Sequence, residues 1–297
     1  MFPSLFNLII QFTTDMFTQG LLIAINFTAI LAYNNDAEIV NGHEVPYGQY
    51  AFMSGLRFDK TSGNYCGGSL IDPTHVLTAA HCVEAGFSPK YISVGSHYTK
   101  GNADGFRIPV KKITSHPSYN KPILMANDFA IIELENAVDV SVRPVKIAAA
   151  DGSHETVGSS ATVAGWGHVK DGGPSSEVKL EVTLPIVTNI LCQANLTLAS
   201  DVSDADRKVA PDFKYTEDFI SDASICAGGG YKNQDSCQGD SGGPLFTKGS
   251  NGEPVLVGIV SWGLGCAKPN LPGVYARVSK AHEFILKYSN AQIAKHY

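Results

Sequence analysis

No run of lysine or arginine occurs anywhere in the chain, no C-x-x-C pair, no internal repeat and no low-complexity stretch. Each absence removes a class of function. A chain of net charge −6, with 22 Lys and Arg against 28 Asp and Glu and no basic cluster, is a poor partner for nucleic acid or an anionic membrane surface. Without C-x-x-C, a zinc ribbon or a dithiol redox centre has no ligand pair to start from. The apolar run near the N-terminus, "LLIAINFTAILA" at 21–32, falls short of the roughly 20 residues of a spanning helix. It has instead the length of a secretory signal core.

Residues 1–32 hold one charged side chain, Asp15, and end on the small Ala32, so they are expected to be a cleaved leader of a secreted protein. No Lys or Arg precedes the run. Initiation at Met16 would leave a compact leader whose positive charge is its own amino terminus. At 297 residues the chain is long enough for one large all-β domain or two ordinary ones, with 44% hydrophobic residues to fill a core. Six cysteines, Cys66, Cys82, Cys192, Cys226, Cys237 and Cys266, are widely spaced and even in number. That suits disulfides in an oxidising compartment, and arithmetic alone leaves fifteen connectivities open.

After residue 38 the chain is a series of short β-type runs broken by Gly, Pro, Asn and Asp: "YISVGS" (91–96), "FRIPVKKI" (106–113), "FAIIEL" (129–134), "ATVAGWG" (161–167), "KLEVTLPIV" (179–187) and "PVLVGIVSWG" (254–263). The pattern predicts a β-sandwich or β-barrel architecture. Ala281, Phe284, Ile285 and Tyr288 recur at helical spacing in "SKAHEFILKYSN" (279–290), which predicts one amphipathic helix near the C-terminus. The longest irregular piece is 193–225.

One stretch concentrates chemistry. "DSCQGDSGGPL" (235–245) sets Ser241 among glycines and aspartates. A serine hydroxyl is a weak nucleophile; it needs a base, a group to orient the base, and donors for the oxyanion it creates. "LTAAHC" (77–82) supplies His81 in an apolar setting, and "NDFAIIEL" (127–134) sets Asp128 at the mouth of an apolar strand, where a carboxylate needs a partner. Gly239 and Ser241 can turn two backbone N–H groups to one point. Taken singly, each has a plainer reading: a core histidine, a turn-forming aspartate, a loop serine. It is their joint occurrence in this order that points to a nucleophilic site.

These stretches, with "IVNG" (39–42), "CGGSLI" (66–71), "VAGWG" (163–167), "GIVSWGLGCA" (258–267) and "PGVYARV" (272–278), resemble the chymotrypsin family of serine endopeptidases, and within it the trypsins, over nearly all of 39–290. The resemblance implies an all-β fold of two six-stranded antiparallel β-barrels with a C-terminal helix, in a domain spanning 39–297. It implies Ser241 as nucleophile, His81 as base and then acid, Asp128 as the group fixing the histidine, and the N–H groups of Gly239 and Ser241 as oxyanion hole. It pairs Cys66 with Cys82, Cys192 with Cys226, and Cys237 with Cys266. Asp235 takes the floor of the specificity pocket, with Gly263 and Gly273 on an open wall, Ser236 beside the carboxylate, and Trp262 and Met125 along the upstream subsites. The implied reaction is hydrolysis after Arg or Lys, with no metal or organic cofactor. The loop 95–105, where many animal trypsins hold calcium, has Asp104 as its one carboxylate, and no cation site is expected there.

The resemblance also implies a precursor. Cleavage before Ile39 would free an α-ammonium to pair with Asp240, removing the six residues 33–38 as a propeptide. Here the sequence departs from ordinary trypsinogens, which carry Lys or Arg before that bond; this chain has Glu38, which a pocket floored by Asp235 would repel. A second departure is the 33-residue segment between Cys192 and Cys226, rich in acidic residues and carrying an N-glycosylation sequon at Asn195. Expected partners are protein or peptide substrates with Arg or Lys at the cleaved bond and protein protease inhibitors, on a monomeric enzyme. The rival reading is a non-catalytic binding or inhibitor protein on the same fold.

Overall fold

The computed structural model describes residues 39–84, 86–199, 220–230 and 233–295. The expected leader (1–32) and propeptide (33–38), and most of the acidic part of the 193–225 segment, lie outside the described residues.

Among the described residues there are fourteen strands, twelve of which form two barrels. In chain order they are β1 (His43–Glu44), β2 (Met53–Arg57), β3 (Cys66–Asp72), β4 (His75–Thr78), β5 (Tyr91–Val94), β6 (Phe106–Ser115), β7 (Ala130–Leu134), β8 (Lys146–Ile147), β9 (Ser160–Gly165), β10 (Leu180–Val187), β11 (Ser224–Gly228), β12 (Pro244–Lys248), β13 (Pro254–Trp262) and β14 (Pro272–Arg277). The first barrel closes in the order β2-β3-β4-β7-β6-β5. The second runs β9-β10-β11-β14-β13-β12 and returns to β9, every pairing antiparallel. Short β1 and β8 lie against β10 and β13 outside this ring. Closure disposes of exposed edges, which short Gly-rich strands such as "CGGSLID" would otherwise leave unpaired.

Each strand run read from the sequence coincides with an observed strand to within a few residues. The C-terminal helix, α2 (His282–Tyr288), is shorter than the 279–290 pattern because Val278–Lys280 form a 3-10 turn before it. Its Phe284 and Ile285 are buried as the spacing required. The segment 193–225 differs from its irregular reading. Its first residues continue a helix, α1 (Asn189–Thr197), capped by Thr188 Oγ1, which accepts from Leu191 N at 3.1 Å. Cys192 and Leu196, four residues apart, turn inward onto Cys226 and Val274. Asn195 therefore sits half-buried on a helix rather than in an open loop.

One apolar cluster runs through both barrels, joining Phe52, Leu70, Ile92 and Phe129 of the first to Trp166, Phe246, Leu256 and Ile259 of the second, and taking in Phe284 and Ile285 of α2. Phe246 is its hinge, edge-on to Tyr50 (4.7 Å) and Phe52 (5.8 Å). Trp166 Nε1 donates to His97 O (2.9 Å), a polar tie across the same junction. Phe246→Ala should lower unfolding free energy by about 3–5 kcal/mol in a urea titration, with residual activity falling in parallel, because the lost ring leaves a cavity between the barrels.

Candidate active site

The site is assembled at that junction. The first barrel contributes a one-turn 3-10 helix, Ala80–Cys82, carrying His81, and the loop ahead of β7, carrying Asp128. The second contributes the loop 235–243 and the end of β13. Asp128 is wholly buried. Its Oδ1 accepts the His81 backbone N–H (2.9 Å) and its Oδ2 lies 2.7 Å from His81 Nδ1. A carboxylate can only accept, so Nδ1 carries the hydrogen and Nε2 is left as the basic nitrogen. A third donor, Ser261 Oγ, reaches Asp128 Oδ2 at 2.6 Å from β13. Sequence reasoning passed over Ser261: it lay inside a quoted motif, "GIVSWGLGCA", but nothing local announced a partner in the other barrel.

The loop bearing Ser241 is drawn against the histidine turn. Gly67 N donates to Ser241 O (2.7 Å), and Thr78 Oγ1 donates to Gly67 O (2.8 Å). The approach is so close that a Cβ on Gly67 would stand 2.7 Å from Gly243 Cα. Among the described residues Ser241 Oγ has no hydrogen-bond partner, so the hydroxyl is unengaged in this state. Such contacts commonly tighten only when substrate binds. Gly239 adopts φ +93°, which favours glycine, and Gln238 O accepts from His168 N (2.7 Å). Since C=O and N–H point oppositely across a trans peptide, anchoring that carbonyl turns the Gly239 N–H the other way. Neither Gly239 N nor Ser241 N has an acceptor among the described residues.

Beside Ser241 lies a cavity of about 180 Å³ lined by Asp235, Ser236, Cys237, Gln238, Ser241, Val260, Ser261, Trp262, Gly263, Gly265, Cys266 and Gly273. Asp235, 5% exposed, accepts from Ser236 N (2.9 Å) and Ala267 N (3.0 Å). Burial pushes its carboxyl up to about 7, the nearby Asp240 adding to the rise. A Cβ on Gly263 would meet little, Gly265 O at 3.6 Å, whereas one on Gly273 would lie 3.2 Å from Asp235 Oδ1. Ser236 Oγ is engaged with Tyr275 OH (3.2 Å). Of the expected specificity residues, Met125 alone is outside this lining; it sits on the loop leading to Asp128 at φ 62°, its N–H held by Asn120 Oδ1.

The three cystine pairs are Cys66–Cys82, Cys192–Cys226 and Cys237–Cys266. The first brackets His81, the second ties α1 to β11, and the third forms part of the cavity wall. Among the described residues, the one tight grouping of metal-type ligands is Cys66, His81 and Cys82, and both sulfurs there are tied up in the disulfide. Asp104 of the 95–105 loop accepts from His97 N and Tyr98 N and faces Arg107 Nη2 at 3.7 Å. Asp240, at 1% exposure, accepts from Gly167 N (2.8 Å) and Cys237 N (2.9 Å), and burial pushes its carboxyl up to about 6. Ile39 is buried in the second barrel's own core, and Val40 bridges Asp235. Among the described residues no helix is long and apolar enough to cross a membrane.

Two closed antiparallel six-stranded barrels, with a His–Asp pair on one and a serine-bearing loop on the other, are the architecture of a trypsin-type domain. The trypsin family profile matches residues 39–285, and the chain belongs to that family. It is 35% identical to a trypsin of Phaedon cochleariae over 93% of this chain and 97% of that protein. It is likewise 35% identical to glucanase inhibitor protein 3 of Phytophthora infestans, over 83% of this chain and 86% of that protein. The serine proteinase stubble of Drosophila melanogaster is 34% identical over 85% of this chain, which spans 31% of that protein's length.

The geometry sets two expected outcomes. Ser261→Ala removes one of three donors to a buried carboxylate and should lower kcat about tenfold with little change in KM, read by steady-state kinetics. Binding of a benzamidinium ion to Ser241→Ala protein should weaken as pH falls through about 7, by roughly tenfold per unit below it, and level off above. The sign is set because a raised pKa leaves Asp235 neutral on the acid side, without the charge the cation pairs with. Calorimetric titration from pH 5.5 to 8.5 checks this, and a flat profile would remove Asp235 from the cation site.

Proposed function

We propose that this protein is a secreted serine endopeptidase that hydrolyses peptide bonds on the carboxyl side of Arg and Lys through an acyl-enzyme. The observation that carries the reading is the buried carboxyl of Asp235, which lines the same cavity as Ser241. Ser241 Oγ attacks the carbonyl carbon while His81 Nε2 takes its proton, and the oxyanion is received by the N–H groups of Gly239 and Ser241. Collapse breaks the C–N bond as His81 returns the proton to the leaving amine; water then repeats the sequence on the ester. Losing one oxyanion donor would cost ~10²–10³ in rate.

The protein is proposed to be made as a precursor cut between Glu38 and Ile39. Asp240 supports this: a fully buried carboxylate with two backbone donors and a pKa pushed up by burial has most to gain from a cation, and a new α-ammonium on Ile39 would supply one. Glu38 argues against self-cleavage, since an ionised Asp235 would repel it, and for another protease or stepwise trimming of residues 33–38. A non-catalytic inhibitor role is the second reading, favoured by the likeness to a glucanase inhibitor protein; the intact His81–Asp128–Ser241 set favours catalysis.

The test gives a peptide library to protein beginning at Ile39, to its Ser241→Ala variant and to the precursor. Cleavage after Arg and Lys by the first alone, with the precursor uncut at Glu38 on prolonged incubation, is expected. A folded but inert Ile39 form would bring the inhibitor reading forward, and rapid self-cleavage after Glu38 would remove the separate activator.

A further inference from the structure

Helix α1 carries no charged side chain in its nine residues, Asn189–Thr197. Cys192 and Leu196 fill its inner side, yet its outer side is largely aliphatic too. Ile190 is 84% exposed, Leu191 49%, and Leu198, which caps the helix, 78%. Ala194 stands exposed among them. A surface helix ordinarily turns polar residues to water, so an adjoining set of exposed aliphatic chains marks a face that something covers.

The backbone sets Asn195 at the edge of that face. Leu198 N donates to Ala194 O (3.0 Å), so the helical turn continues through the cap. Residues three and four apart are neighbours on a helix, with Cβ atoms about 5–6 Å apart. Asn195 therefore adjoins Leu191 on one side and Leu198 on the other. No described residue hydrogen-bonds its side-chain amide. Asn195-Leu196-Thr197 is also an acceptor sequence for N-glycosylation.

The folded helix withholds that acceptor, but the nascent chain does not. Thr197 Oγ1, the hydroxyl the acceptor sequence requires, donates to Gln193 O (2.8 Å) and accepts from Gln193 Nε2 (3.2 Å). Cys192, three residues before Asn195, is joined to Cys226, and the two are 34 positions apart. The disulfide that pins α1 cannot close until Cys226 has been made, so the acceptor exists first as unpinned chain.

We propose that Asn195 carries an N-linked glycan and that this glycan covers the outer face of α1, lying over Leu191 and Leu198 and reaching across Ala194 towards Ile190. The inference rests on the reading of the protein as secreted. In the transfer, Asn195 Nδ2 takes the anomeric carbon of an oligosaccharide from a polyprenyl diphosphate donor. An N–C bond forms, the C–O bond to the diphosphate breaks, and the amide gives up one proton. A tethered glycan meets the face without the cost of a bimolecular encounter. The C–H faces of its first rings would take water off the aliphatic chains while its hydroxyls stay hydrated.

The test expresses the chain in cultured insect cells twice, with its own residues 1–32 and with a host leader in their place. A mannosidase inhibitor keeps any glycan open to an endoglycosidase that leaves a single sugar. Peptide mass mapping of the secreted protein should find about 1–2 kDa of sugar on the peptide holding Asn195, absent in Asn195→Gln and kept in Thr197→Ser. Trimming the folded glycoprotein should then raise the fluorescence of anilinonaphthalene sulfonate, a dye that reports exposed apolar surface, about twofold or more. Because the sugar is removed after folding, a folding defect cannot imitate that rise. In Ile190→Lys/Leu198→Lys the rise should be lost. Secreted protein with a bare Asn195, or fluorescence unmoved by trimming, would overturn the inference and leave secretion standing. A chain that leaves the cell under the host leader but not under its own would overturn the secretion reading and the glycan with it.

Discussion

Asp128 lies out of water at the seam of the two barrels, and its oxygens are held by donors from both: His81 N and Nδ1 from the first, Ser261 Oγ from the second. A buried carboxylate that lost one of these donors would be left with an unmet acceptor, a penalty of about 1–3 kcal/mol or more for a charged group. The seam is therefore the place where separation is least tolerated. The apolar cluster around Phe246 supplies adhesion without direction, whereas the carboxylate supplies direction. Together they set the histidine turn and the Ser241 loop in one register, and the Gly67–Gly243 approach leaves no room for a second one.

Asp235 and Asp240 are buried on different terms. Each accepts from two backbone N–H groups, and each has its carboxyl pushed up by burial, to about 7 and about 6. Two donors do not replace a hydration shell, so both remain sites where a cation is worth most. On the proposed reading the substrate brings one cation and the freed N-terminus the other. A single physical condition, an under-compensated carboxylate, would then serve recognition at one aspartate and activation at the other.

How much of this was legible beforehand depended on whether a signal was local. Strand runs and the C-terminal helix were readable because burial imposes its period on neighbouring residues. His81 and Asp128, which the structure brings together, and Ser241, which lines the cavity, stood out as candidates by resemblance because each sits in a dense motif. Ser261 was not, since the partner that gives it meaning is 133 positions away and a serine in an apolar strand has no mark of its own. Helix α1 was missed because its two inward residues, Cys192 and Leu196, are too few to set a period, and the charged stretch beyond them made the whole segment read as a loop.

The two under-compensated aspartates are also coupled through the chain between and beside them. They lie five positions apart in the loop that carries Ser241, and the charge of Asp240 raises the pKa of Asp235. The segment beginning at Ile39 is laced to that same loop: Val40 bridges Asp235, Asn41 Nδ2 donates to Asn233 O (2.9 Å), and Gln234 Nε2 donates to Asn41 O (2.7 Å). Residues 39–41 are thus already seated beside Asp235 with Glu38 attached. On the proposed reading, a cation brought to Asp240 would offset a like charge near Asp235 and favour its ionised form, the one that pairs with a cationic side chain. With Glu38 still attached, the α-ammonium does not exist and that change of charge is not available.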